Sequence, residues 1–211
     1  AKVIAPPDSV VNASFPAAVA GGNVETSQRI VDVILGALLK ACPDRIPAAS
    51  CGSMNNLAIG GYDPFRGRPF AYYETIGGGM GARPDRPGLD AVHTHMTNTL
   101  NTPIEALERR FPLEVVRYAV RRGSGGGGNH KGGDGIVRHI RLLRPATASF
   151  LISRTEEGAW GLAGGGAGKP ARIRVKQKNR WVAVAGKAVV HLDAGDEICV
   201  ETPGGGGWGS E

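Results

Sequence analysis

The chain has 211 residues, 41% of them hydrophobic and 21% charged, enough to bury a core without disulfide or metal staples. Its 33 glycines and 14 prolines exceed ordinary usage, but the apolar content excludes a disordered chain and points to tight turns and close backbone contacts. The net charge of +6 is spread over Arg109-Arg110, Arg121-Arg122, residues 138–144 and residues 172–180 without interleaved aromatics, which favours a solvated mixed surface or an acidic partner over nucleic acid.

Residues 1–23 read as irregular, with Pro6, Pro7, Pro16 and Gly21-Gly22. Ala1 to Pro7 carry no signal-peptide pattern, and the absence of an initiator Met suggests a boundary inside a longer polypeptide. A helix is expected over 26–40. Ile30, Ile34 and Leu38 recur at four-residue spacing, with Val31, Leu35 and Leu39 widening the apolar stripe expected to face the core. Asn23 or Thr26 can cap it, and Pro43 stops it. Strands follow at 56–59 and 70–75 around a turn at 63–67. The run Gly77-Gly78-Gly79-Met80-Gly81 interrupts the pattern, 82–102 is a long polar loop, and Pro103 opens a short helix over 104–110. A strand over 113–121 leads to the densest glycine loop, 123–135. Strands are then expected at 136–143, 147–154, 171–175, 181–184 and 197–201. The fold class is α+β: a mixed part over 1–122 with one clear amphipathic helix, and a mostly antiparallel, glycine-looped part over 123–211, in one continuous fragment. No apolar run approaches the roughly 18 residues of a membrane span.

Three cysteines, Cys42, Cys51 and Cys199, match no zinc spacing and read as reduced thiols of a cytoplasmic protein, Cys199 as a small core residue. The glycines do not make a nucleotide loop. In the stretch ending at Lys169, Ala163 stands where the first glycine belongs and Pro170 where a Ser or Thr should hold Mg²⁺. No helix opens after Gly77, Gly78 and Gly79, so their backbone N–H groups read as an anion or oxyanion cradle rather than a dinucleotide turn. Asp90, His93 and His95 have ligand character, with His130 as a distant third nitrogen, but the bland reading is a hydrogen-bonded loop and no metal site is assigned. Capping alone would explain Thr102, yet five hydroxyl or amide side chains precede this helix, as a buried polar network or substrate site would require. The 123–135 loop reads either as a flexible linker or as a close-approach loop presenting His130, Lys131 and Asp134. No Ser-His-Asp triad can be assigned.

The strings ETIGGGMGAR at 74–83 and GLDAVHTHMTNTLNTPIE at 88–105, the basic strand 116–122, the loop 123–135 and the ending TPGGGGWG at 202–209 together resemble the hydantoinase B / 5-oxoprolinase family along essentially the whole chain. The resemblance implies a component of an ATP-dependent hydrolase that opens cyclic amides such as 5-oxoproline, hydantoins or lactams. An ATPase subunit of the hydantoinase A type would phosphorylate the ring oxygen with ATP and Mg²⁺, and the B-type subunit would hydrolyse the activated intermediate. Related complexes carboxylate acetone or acetophenone, and a non-catalytic assembly module is the further alternative. Family B subunits are much longer than this chain, and their divalent metal (Zn, Mn or Fe) is implied to lie in an N-terminal half supplied by a separate chain or a missing segment. His95, Asn98, Asn101, Glu105, His130 and Asp134 are the candidates for the shared cavity, with Gly77, Gly78 and Gly79 for an anionic group.

Overall fold

The computed structural model describes residues 2, 4–17 and 19–210. The helices are α1 (Ala20–Leu38) and α2 (Ile104–Arg110). The strands are β1 (Asn56–Asp63), β2 (Arg68–Thr75), β3 (Leu113–Arg121), β4 (Gly135–Leu142), β5 (Ala146–Leu151), β6 (Arg172–Gln177), β7 (Arg180–Ala183), β8 (Lys187–Leu192) and β9 (Glu197–Glu201). They form two antiparallel sheets, ordered β2-β1-β5-β8 and β3-β4-β9-β6-β7. The α+β class holds. Strands from both sides of residue 122 share each sheet, so the division drawn there runs through both layers.

Alternation along the strands decides which residues point between the sheets. Leu57, Ile59, Ala148 and Phe150 come from one layer, and Ile140, Leu142, Ile173, Val175, Ile198 and Val200 from the other, forming one core. Cys199 lies between Ile198 and Val200 and is buried on the opposite, outer face, where it pairs with His139 and Arg174 rather than joining the core. The β1–β2 hairpin closes as expected: Asp63 accepts a hydrogen bond from the Phe65 amide at 3.0 Å, and Gly67 takes a positive φ of 63°. β8 was not foreseen; it pairs with β5 and buries Leu192.

The glycine-rich segments neither form linkers nor join either sheet. Residues 77–82, 124–133, 159–168 and 203–209 lie side by side and hydrogen-bond to one another, the third of them turning at Ala163-Gly164. Gly126 N donates to Gly205 O at 2.9 Å, Gly205 N to Gly133 O at 2.9 Å, Gly133 N to Met80 O at 2.8 Å and Gly207 N to Gly166 O at 2.9 Å. Backbones this close leave no room for side chains, as at the axis of a collagen helix. A Cβ on Gly79 would overlap the Gly133 carbonyl and the Gly205 amide, and one on Gly205 the Met80 carbonyl.

α1 exists but lies the other way round from the expectation. It begins at Ala20 without a side-chain cap, and Gly21 lets its first turn approach Leu151. Ile30, Val33, Ile34 and Leu38 are exposed, while Glu25, Gln28 and Asp32 face inward. A charged residue is buried only when paired or hydrogen-bonded, and α1 finds its partners in distant loops.

Candidate functional site

The site is a polar cluster between α1 and the ends of the sandwich. Glu25 Oε1 accepts hydrogen bonds from Met54 N at 2.9 Å, Asn56 Nδ2 at 2.8 Å and Ser53 Oγ at 3.3 Å. Ser53 Oγ in turn accepts from Ser153 N at 3.0 Å. One turn further along α1, Gln28 Nε2 donates to Thr94 O at 3.0 Å and Thr97 Oγ1 at 2.5 Å, tying the helix to the polar loop. Asp32 Oδ2 pairs with Arg154 Nη2 at 2.5 Å, and Arg154 also donates to Gly158 O at 2.8 Å. Gly52, at φ 61°, passes so near Asp32 and Arg154 that a Cβ there would collide with both.

His95 completes this arrangement. Its Nε2 stands 3.9 Å from Asp32 Oδ1, and its side chain is 17% exposed where that of Asp32 is 5% exposed, making it the end of the Arg154–Asp32–His95 row nearest solvent. Its φ of 57° lifts it out of any extended segment, so the His93-x-His95 pair does not present two rings on one face. Burial pulls the His95 imidazole below its ordinary pKa, and Asp32 opposes that only partly. The ring is therefore neutral and able to accept a proton at neutral pH. Burial also pushes the Glu25 carboxyl up, against its hydrogen-bond donors. Six of the ten buried polar side-chain atoms left without a hydrogen-bond partner among the described residues lie here: Glu25 Oε2, Gln28 Oε1, Asp32 Oδ1, Asn55 Oδ1, Thr94 Oγ1 and Arg154 Nε. Native interiors satisfy nearly all such atoms with protein or ordered water.

Asn101 belongs to a second buried network, which bridges the two sheets. Its amide donates to Glu74 Oε2 at 2.8 Å and Thr75 O at 2.9 Å, and its carbonyl accepts from Tyr118 Oη at 3.0 Å. Glu74 also accepts from Tyr72 Oη at 2.7 Å and pairs with Arg138 Nε at 3.0 Å. Arg138 lies on the inward face of β4, its side chain fully buried, with its guanidinium 4.7 Å over the Tyr118 ring. Burial alone would lower its pKa; Glu74 reverses the direction. The reading of residues 138–144 as a solvated basic surface fails here. Arg138 shares the parity of Ile136, Ile140 and Leu142, a signal the sequence did carry.

The remaining candidates fall elsewhere. Asn98 and Glu105 are exposed, the latter in the first turn of α2. Asp134 is buried and accepts from Gly123 N, Ser124 N and Gly125 N at 3.1, 2.8 and 2.7 Å, with Lys131 Nζ at 3.2 Å. Burial pushes its carboxyl up, but these donors outweigh that and hold it below the usual aspartate range. Asp134 thus organises its own loop, and its network shares no partner with that of Asn101. His130 exchanges backbone hydrogen bonds with Trp208 at 2.9 and 2.8 Å. The expected open N–H groups at Gly78 and Gly79 are closed: they donate to Val92 O and Pro203 O, both at 3.0 Å. Gly77 packs against the Val92 backbone. Asp90 is engaged by Asp134 N at 2.7 Å and Arg122 at 3.1 Å. Among the described residues no three His, Cys, Asp or Glu side chains converge as metal ligands. These residues thus do not themselves make a site for the divalent metal that the resemblance implies.

A sandwich joined to a glycine-backbone bundle thus carries an acid–imidazole row at one end, buried at Arg154 and Asp32 and open to solvent at His95. The chain belongs to the Hydantoinase B/oxoprolinase family, whose model matches residues 1–211. It is 47% identical over 209 residues to an uncharacterized protein of Methanocaldococcus jannaschii, covering 99% of this chain and 36% of that one. It is 43% identical over 209 residues to a 5-oxoprolinase of Dictyostelium discoideum, covering 99% of this chain and 16% of the relative. The fold matches that of the ATP-dependent caprolactamase from Pseudomonas jessenii with a TM-score of 0.76 at 22% identity, over 94% of this chain and 36% of that one. The chain thus spans about a third or less of the length of these relatives.

Proposed function

We propose that this chain is the part of a B-type subunit that helps to open a cyclic amide in an ATP-dependent, cytoplasmic complex with a hydantoinase A-type ATPase subunit. The observation that carries the reading is the family match over the whole chain, with a 5-oxoprolinase among its relatives. An amide carbonyl is a poor electrophile, and transfer of a phosphoryl group from ATP to its oxygen, in the partner subunit, makes the ring carbon open to water. Water then adds there and the ring C–N bond breaks, leaving the freed amine and an acyl phosphate; a second water hydrolyses the acyl phosphate, giving the ring-opened acid and phosphate beside the ADP already formed.

In this scheme His95 is the general base. It is neutral and partly exposed, with Asp32 behind it to steady the imidazolium that forms; Arg154 holds Asp32 in turn. A separation of 3.9 Å is longer than a hydrogen bond, as is common before substrate and partner close a site. Asn98 and Glu105, exposed on the same loop and helix, face the shared cavity, with Asn101 positioning that loop through Glu74. Free thiols among the described residues and the need for ATP both suit the cytosol.

The test is turnover of 5-oxoproline, hydantoin and caprolactam by the assembled complex, with and without ATP. His95→Asn is expected to lower kcat by about 100-fold or more with little change in KM, because general-base catalysis contributes on that order. Ring opening without ATP, or bicarbonate-dependent ATP use with a ketone instead, overturns the hydrolase assignment. An unchanged kcat in the variant removes His95 from the mechanism.

A further inference from the structure

We infer that the outward face of α1, with the segment before it, is the seat of the remaining portion of a B-type subunit. This rests on membership of the family and not on the hydrolase assignment. Ile30, Val33, Ile34, Ala37 and Leu38 lie at the spacing of a core-facing helical stripe, yet Val33 is 70% and Ile34 53% exposed. The patch continues into residues 4–17, where Val10 is 83% and Phe15 99% exposed. A groove between the two segments combines Val10, Val11, Val19 and Ile30 with the neutral polar side chains of Asn12 and Asn23, and has no charged residue in its wall. Contiguous apolar surface of this kind marks an interaction site. The uncharged wall of that groove offers an anionic lipid headgroup or nucleic acid nothing to pair with, the exposed Arg29 of α1 lying outside it.

The occupant follows from length and from the opposite face of the same helix. This chain spans 36% of both the Methanocaldococcus relative and the caprolactamase chain, so roughly two thirds of each lies elsewhere. α1 already uses its polar residues against the sandwich. Covering its apolar face turns it into a central helix packed on both sides, and it encloses the Asp32–His95 cluster beneath.

The test compares the same substitution in two settings. One is the 211-residue chain itself; the other is a whole subunit in which this chain replaces the matched 209 residues of the Methanocaldococcus relative. Val33→Asp/Ile34→Asp should leave the melting temperature of the 211-residue chain unchanged, since both side chains are exposed there. In the whole subunit it should lower the melting temperature by on the order of 5–10 °C. Amide exchange at residues 26–38 should be at least about tenfold slower in the whole subunit than in the chain alone. An equal change in melting temperature on substitution, or equal exchange, in the two settings overturns the inference. So does a homodimer of the 211-residue chain that protects this face, since the occupant would then be a second copy. Activity enters neither readout.

Discussion

Removing the carboxylate of Glu74 strands the Arg138 guanidinium inside the sandwich. The Arg138 side chain is fully buried, its Nε lies 3.0 Å from Glu74 Oε1, and its Nη1 already has no partner. Breaking one side of such a buried pair costs about 3–5 kcal/mol, most of it the uncompensated charge that remains. Tyr72 Oη loses its acceptor as well and the Asn101 amide one of its two, which places Glu74→Ala toward the upper end. For a chain of this size about 2–4 °C accompanies each kcal/mol, so the melting temperature should fall by about 6–20 °C. Glu74→Leu/Arg138→Met removes both charges at similar volume and should restore most of the loss, because a well-packed apolar pair is often as stable as a buried ion pair. Urea and thermal unfolding at pH 7, followed by two probes, would measure this. A loss below about 1 kcal/mol in Glu74→Ala, or a double variant as unstable as the single one, refutes the account of Arg138 as a paired core charge.

Two further outcomes follow from the same reasoning. Burial lowers the pKa of His93 and His95, so the native chain binds fewer protons than the unfolded one below about pH 6.5. Stability should fall as pH drops from 7 through that value, and His95→Asn should flatten the slope of melting temperature against pH; an unchanged slope rules out the His95 contribution. Gly79→Ala pushes a methyl into the Gly133 carbonyl and should cost about 3 kcal/mol or more, whereas Gly67→Ala meets only open space and should lose about 1 kcal/mol for its positive φ. Chemical denaturation of the two variants side by side would check this, and equal losses would contradict the bundle geometry.

Most strands were legible from their own alternation, although only three of the seven pairings join strands adjacent in sequence. The alternation in β4, β5 and β9 reads directly, and the Asp63 turn announces the β1–β2 hairpin. β8 escaped notice because its alternation, Ala188, Val190 and Leu192, is short and half exposed. The orientation of α1 was not legible. An apolar stripe is ordinarily the buried one, and only partners far away in sequence, Ser53, Thr94 and Arg154, make the polar face the inner one. For the same reason His95 could be picked out as a reactive type but its partner Asp32 could not. Asp134 looked catalytic by composition, yet its carboxylate is spent on three backbone amides of its own loop. The glycine runs advertised close approach without saying to what.

The order of synthesis gives the bundle a timetable. Segment 203–209 bonds to Gly79, Ala82, Gly126, His130, Leu162 and Gly166, all of which leave the ribosome before it. Until it arrives, those glycine edges stand open with no side chains to shield them, the state in which unpaired backbone invites intermolecular pairing. The bundle therefore closes as one late event that joins segments more than a hundred residues apart, and a chain released before residue 203 should be a client for chaperones rather than a smaller version of this fold.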